Sequence, residues 1–142
     1  LIPFLGSGGS EVVPHDGVDE GWHNLSHHGK DPEKLDQLAI IEREEFVLFS
    51  EFLAKMKSFQ EGQHSLLDQT AIVIGSSLGN ASSHNNTNLP IVFAGGGFKH
   101  GQHLAFEEKG APPLSNLYVS CLQHLGLESE NFSSGNGKLV GI

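Results

Sequence analysis

Thr70-Ala71-Ile72-Val73-Ile74-Gly75 is the stretch on which the reading of the fold turns. It is apolar, rich in β-branched residues, short, and stopped by glycine, so it reads as a buried strand. Downstream, a polar loop from Ser76 to Asn88 leads to a second apolar run, Leu89 to Ala94, which ends in Gly95-Gly96-Gly97. Pro90 stands at the start of that run, where a strand tolerates the missing amide. Leu104 to Phe106 reads as a short third strand.

Upstream, a long helix is expected from about Asp31 to about Phe59, stopping near Gly62. Asp31 is a good N-cap, Pro32 suits the first helical position, and Glu33 favours the positive helix end. Leu35, Leu38, Ala39, Phe46, Phe49, Leu53 and Met56 recur with a helical period. The face carrying Leu35, Phe46, Phe49, Leu53 and Met56 is expected to pack on the sheet. Glu42 falls in the middle of the stripe, where it either snorkels past the helix edge or meets a buried partner such as a histidine. After the strands, Pro113 opens a last helix whose Leu114, Leu117, Tyr118, Cys121 and Leu125 share one face and which Gly126 ends. The tail from Glu128 to Ile142 reads as irregular. Helix, strand, strand, helix is the pattern of an α/β layered domain.

The composition is that of an ordinary folded protein, with 37% hydrophobic and 18% charged residues. The net charge of −9 repels phosphate backbones, which argues against a nucleic-acid partner. No apolar run is long enough to span a membrane. A lone cysteine, Cys121, rules out an intrachain disulfide and cysteine-type zinc sites. The unusual feature is nine histidines.

Three constellations stand out. The first is His23-Asn24-Leu25-Ser26-His27-His28. Neutral imidazoles are common ligands for zinc and other transition metals. Histidines four apart share a face only in a helix, and the segment lies before the Asp31 cap, so that geometry is left open. Otherwise the three histidines bond loop carbonyls and hold an irregular segment in place. The second is Gly75-Ser76-Ser77-Leu78-Gly79-Asn80 with His84 beyond it. Ligands collect outside the carboxyl ends of strands in α/β sheets, but polar loops are also simply solvated. The third is Gly95-Gly96-Gly97 followed by Lys99-His100-Gly101-Gln102-His103. Such a run either cradles an anion with its amides or merely turns the chain. Gly75-Ser76-Ser77-Leu78-Gly79 has the bare G-x-S-x-G spacing, but it opens a polar loop rather than a helix, so it does not read as the nucleophile elbow of a serine-triad hydrolase.

His23-Asn24-Leu25-Ser26-His27-His28-Gly29, with Asp31-Pro32-Glu33-Lys34 behind it, resembles the signature of the HxxSHH family. Leu66-Leu67-Asp68-Gln69-Thr70, Asn88 to Gly97, Pro113 to Leu117 and His124-Leu125-Gly126 follow in that family's order. The resemblance covers the chain from about Gly17 onward. It implies an exported, periplasmic or cell-surface protein of planctomycetes or related bacteria, in a family without an established activity. A more distant resemblance is to the alkaline phosphatase and sulfatase superfamily. There a strand ends in an Asp-His metal pair, a later strand begins near a proline and ends in glycine, and a histidine follows. Ser76-Ser77 stands where Asp-His is expected, and His23 where that superfamily's Asp-x-x-x-His pair has a carboxylate.

The resemblance implies that residues 1–142 are the C-terminal part of a single alkaline-phosphatase-like domain whose upstream part is missing. A start at Leu1 and only two confident strands point the same way, because two strands make a marginal sheet. Expressed alone, the chain is expected to be marginal, aggregated or strand-paired to a partner. The expected function is a divergent hydrolase of phosphate or sulfate esters, on small-molecule or glycan-type substrates, with a divalent metal, zinc foremost. His23, His27, His28, His84 and His103 are the expected metal ligands, and Ser76, Ser77, Asn80 and His100 the expected substrate contacts. The alternative is a non-catalytic exported binding or structural module. His23 or His27 is expected to lie near His84, or near His100 or His103, around one concave site.

Overall fold

The computed structural model describes residues 11–107 and 109–142. Among them the elements run α1 (Trp22–Ser26), α2 (Pro32–Ser58), β1 (Gln60–Glu61), β2 (His64–Ser65), α3 (Leu66–Gln69), β3 (Ala71–Gly75), β4 (Ile91–Gly95) and α4 (Ser115–His124). The fold is mixed α/β, with β1 paired to β2 and β3 to β4 in separate two-stranded sheets. Two compact units emerge. Of the described residues, one takes 11–59 together with Gly75–Ile91, and the other takes Gln60–Ile74 together with 92–107 and 109–142.

In the first unit, α2 begins as its sequence dictates. The Asp31 side chain accepts the Glu33 amide at 2.9 Å, and Pro32 follows at the first helical position. The helix ends where Phe59 turns extended. Its buried positions are Ile41 and Phe49, with Leu38, Glu45, Leu53 and Met56 half-buried. The expected face is borne out at Phe49, Leu53 and Met56 but not at its other two positions. Leu35 and Phe46 are exposed, and so is Glu42, which neither meets a histidine nor occupies the buried stripe. The reason is that α2 carries apolar residues nearly all round, Val47, Leu48 and Phe52 included, so period alone does not choose the face.

The segment before α1 fixes the N-terminal half of that helix. The Asp19 and Glu20 amides donate to the Gln37 side-chain oxygen, and Lys34 pairs with Glu20 at 3.2 Å. Leu25 of α1 is completely buried.

The carboxylate on the buried side of α2 is Glu45. Burial raises its pKa above the ordinary value, and the neighbouring Glu42 carboxylate raises it further. Ionising Glu45 is thus less favourable in the fold than in the unfolded chain. That penalty is absent below the ordinary carboxylate range and fully present above the raised folded value. Glu45→Gln is expected to raise the melting temperature at pH 7 and to leave it unchanged near about pH 3. Thermal melts of both proteins at the two pH values check this.

In the second unit, β1 and β2 form a small hairpin in which Gln60 faces Ser65 and Glu61 faces His64. Ser65 then caps α3 through a reciprocal box: its hydroxyl accepts the Asp68 amide, and the Asp68 carboxylate accepts the Ser65 amide. β3 and β4 run antiparallel. At one end the Ser76 amide donates to Pro90 O, and at the other Gly96 lies against Ala71. The carboxyl ends of two antiparallel strands point in opposite directions, so the rule that gathers ligands at the carboxyl ends of parallel strands does not carry over to this hairpin.

Gly95, Gly96 and Gly97 all have φ near +70°, and a Cβ on Gly95 would run into the carbonyls of Thr70 and Leu67. The glycine run therefore serves a tight left-handed turn against the backbone before β3. Leu104 to Phe106 is not a strand. It pairs with no ladder among the described residues, and it lies against the C-terminal tail, where the Gln102 side chain donates to Gly141 O.

The face of α4 also differs from expectation. Leu117 and Val119 are buried, together with Asn116 and Ser120, whereas Tyr118 and Leu125 are exposed. The polar pair is buried because it holds the tail. The Asn116 side chain accepts the Asn136 amide and donates to the Asn136 side-chain oxygen, and Ser120 Oγ accepts the Leu139 amide at 2.9 Å. Asn116→Ala would leave these groups without partners and is expected to destabilise the chain by about 1–3 kcal/mol. Amide exchange of Asn136 should accelerate in the variant, which NMR can read directly.

Candidate functional site: an imidazole cluster

The site is built within the first unit from two segments far apart in sequence. The first is α1 and the turn after it. The helix is short because only Leu25 and Ser26 are buried in it, and Gly29 and Lys30, both left-handed, break it before the Asp31 cap. The His27 amide still closes a helical turn on His23 O at 3.3 Å. That turn places His23 and His27 on one face, with ring centroids 4.8 Å apart.

The second segment is the loop between β3 and β4. Its tip is held by its own asparagines. The Gly79 and Asn80 amides donate to Asn85 O, Asn85 N donates back to Asn80 O, and Asn80 Oδ1 accepts the Ser83 amide. Asn85 Oδ1 accepts both the amide and the hydroxyl of Thr87. This wrapping sets His84 in the left-handed region, φ 53°, a conformation that only a determined environment maintains in a non-glycine residue.

The loop docks on the first segment at two points. The Gly29 amide donates to Ser82 Oγ at 3.1 Å, and His84 Nε2 approaches His27 Nε2 to 3.5 Å, with ring centroids 5.0 Å apart. His27 thus sits between His23 and His84. All three are exposed, and none makes an ion pair among the described residues. Two facing imidazole nitrogens can share one proton, one as donor and one as acceptor, or can both present lone pairs to a metal ion.

The other expected site residues have different roles. His28 Nδ1 accepts the Lys30 amide at 3.0 Å. A neutral His28 therefore carries its proton on Nε2 and has no lone pair left for a metal. Ser76 Oγ accepts the Leu78 amide and shapes a turn, Asn80 is spent on Ser83, and Ser77 is exposed. His100 and His103 belong to the second unit. His100 Nε2 donates to Gly95 O at 2.7 Å and its ring packs on Phe93, while His103 is exposed.

Two residues were not anticipated. Ser82, which anchors the loop to Gly29, had no sequence signal beyond lying in a polar stretch. His124 packs on Phe98 with centroids 4.3 Å apart, extending an aromatic group with Phe93 and His100. The burial of Cys121 pushes its thiol up, as an unreactive packing residue requires.

Among the described residues, no three His, Cys, Asp or Glu side chains stand ready-made to hold a metal ion. No helix among them is long and apolar enough to cross a membrane. Comparison with protein families, with curated proteins and with solved structures finds no match to the chain.

Proposed function

We propose that the chain is the C-terminal part of an exported, alkaline-phosphatase-like domain of the HxxSHH family that hydrolyses phosphate or sulfate esters with a divalent metal, zinc foremost. The observation that carries this reading is the approach of His84 to His27 at 3.5 Å, across 57 residues of sequence. Packing gives no reason for it, because both rings are exposed. A loop tied by its own side chains, with a left-handed histidine at its tip, is the kind of local strain found at functional sites.

In this reading His27 and His84 would help to hold a metal ion, which would supply polarisation of an ester oxygen or activation of water. His27 and His84 hold the site together, and Ser77 and the free face of the Asn80 loop lie open to a substrate. The alternative, a non-catalytic module whose histidines hold the fold, is favoured by His28, whose ring is spent on the Lys30 amide.

The test is an assay of aryl phosphate and aryl sulfate monoesters with the metal-loaded protein. Turnover that chelation abolishes, zinc restores and His27→Ala removes is the expected result. Absence of turnover with every divalent metal tried, on both ester types, contradicts the hydrolase.

A further inference from the structure

We propose that Asn136 is a self-modifying site. With Asn116 assisting, the Gly137 amide closes on its side chain to a succinimide, which water opens to aspartate or isoaspartate, and the isoaspartate form frees the C-terminal tail from α4. The chain has eight asparagines, and Asn136 is the only one followed by glycine. The other seven precede Leu, Ala, Asn, Thr or Phe, whose side chains crowd the amide that has to attack. Glycine, with no Cβ, leaves that nitrogen open.

The clasp between α4 and the tail sets up each group that the reaction uses. The nucleophile is the Gly137 amide nitrogen, which makes no hydrogen bond among the described residues. It is joined to its target within one chain, an effective concentration that no second molecule matches. The oxygen that gains charge as this nitrogen adds to Asn136 Cγ is Oδ1, and it accepts the Asn116 Nδ2 donor at 3.1 Å. Asn116 is 6% exposed on α4, so that donor is held in place before charge develops. The same side chain grips the Asn136 amide through Oδ1 at 3.0 Å. Asn136 is exposed, and its Nδ2 has no partner among the described residues, so the departing nitrogen meets solvent. The Gly137 N–Cγ bond forms, the Cγ–Nδ2 bond breaks, and the Gly137 amide proton leaves with that nitrogen as ammonia. One water then opens the ring. Attack at Cγ restores the ordinary backbone as aspartate, and attack at the main-chain carbonyl gives isoaspartate.

The two products differ at the clasp. Aspartate keeps the chain path, and its carboxylate still accepts Asn116 Nδ2. Isoaspartate routes the chain through Cβ and Cγ, which adds one atom to the main chain between the Asn136 and Gly137 nitrogens. The Leu139 amide, three residues on, donates to Asn116 O at 3.1 Å and to Ser120 Oγ at 2.9 Å. With the extra atom, the Asn136 and Leu139 amides no longer reach Asn116 and Ser120 in register. Both of those side chains are buried, so losing the tail leaves their polar atoms to water. The modification is therefore a slow, one-way release of the tail.

The experiment is incubation of the full chain in mildly alkaline buffer, followed over time by peptide mapping with mass spectrometry. The expected result is conversion of amide to acid at Asn136 ahead of the other asparagines, as a mixture of aspartate and isoaspartate. Conversion should be faster in the folded chain than in the same chain unfolded in urea, because only the fold supplies the Asn116 donor. Asn116→Ala that remains folded by circular dichroism should fall to the unfolded rate, and Gly137→Ala should all but stop the reaction. After chromatographic separation, the isoaspartate form should show rapid exchange of the Leu139 amide by NMR, while the aspartate form keeps its protection.

An Asn136 that stays an amide while other asparagines convert overturns the proposal, as does conversion that Gly137→Ala leaves unchanged. A folded chain that converts no faster than the unfolded one overturns it too, because Asn116 then gives no assistance. So does an isoaspartate form whose Leu139 amide remains as protected as in the unmodified chain.

Discussion

Gly79→Ala is expected to destroy the imidazole cluster while leaving α2 folded. A Cβ on Gly79 would collide with the carbonyl oxygen of Thr87 and lie 2.9 Å from that of Asn88. Both obstacles are backbone, so no side-chain rotation relieves them. The strands of the loop must separate, and the Gly79 and Asn80 hydrogen bonds to Asn85 O are the first to go. His84 sits one residue from that junction in a left-handed conformation which the wrapping alone sustains. Its release moves Nε2 away from His27. The readout is Co2+ binding together with the His27 and His84 ring resonances. Metal affinity should fall as far as in His84→Ala, with helical circular dichroism retained. Unchanged affinity would show that the loop is not what positions His84.

Phe49→Ala carries the largest expected effect on stability. Phe49 is 5% exposed and, with Ile41, marks the face that α2 buries. Removing a buried phenyl ring loses its transfer free energy and leaves a cavity, about 3–5 kcal/mol together. Phe46 on the same helix is 51% exposed, and Phe46→Ala should change stability by less than about 0.5 kcal/mol. Denaturant titration of the pair measures the contrast. Equal effects would mean that the helix buries the face the period suggested.

That contrast shows what was legible in the sequence. The ends of α2 were, because Asp31, Pro32 and the turn at Gly62 act locally. Its buried face was legible only in part: Phe49, Leu53 and Met56 turn inward as the period suggests, whereas Leu35 and Phe46 do not, because Phe46, Val47, Leu48 and Phe52 make the helix apolar on most sides. The choice among faces is made by the Asp19 and Glu20 amides on Gln37 and by Leu25, all outside the helix. In α4 the apolar stripe misled for another reason. Asn116 and Ser120 are buried because they bond the tail's backbone, and hydrogen-bond partners twenty residues away leave no periodic mark.

β3 and β4 were legible as strands, but their direction was not, and Leu104 to Phe106 lacked a partner rather than a strand-like composition. The β1–β2 hairpin and α3 are too short to show a period, although Ser65-Leu66-Leu67-Asp68 contains the capping pair that starts α3.

For the site, the residue types and their places beside element ends could be read. That His23 and His27 share a face depended on α1 being helical through a motif with glycine behind it. That His84 reaches His27 depended on the Asn80–Asn85 clasp and on Ser82 meeting Gly29, contacts set by tertiary placement. That His28 takes no part follows only from its bond to the Lys30 amide.

Zinc K-edge X-ray absorption on the zinc-loaded chain reads the ligands that the imidazole cluster would supply. The expected result is zinc–nitrogen distances of about 2.0–2.1 Å with the outer-shell scattering of imidazole and no sulfur. A first shell of oxygens without imidazole scattering, or protein that retains no zinc after desalting, would contradict it.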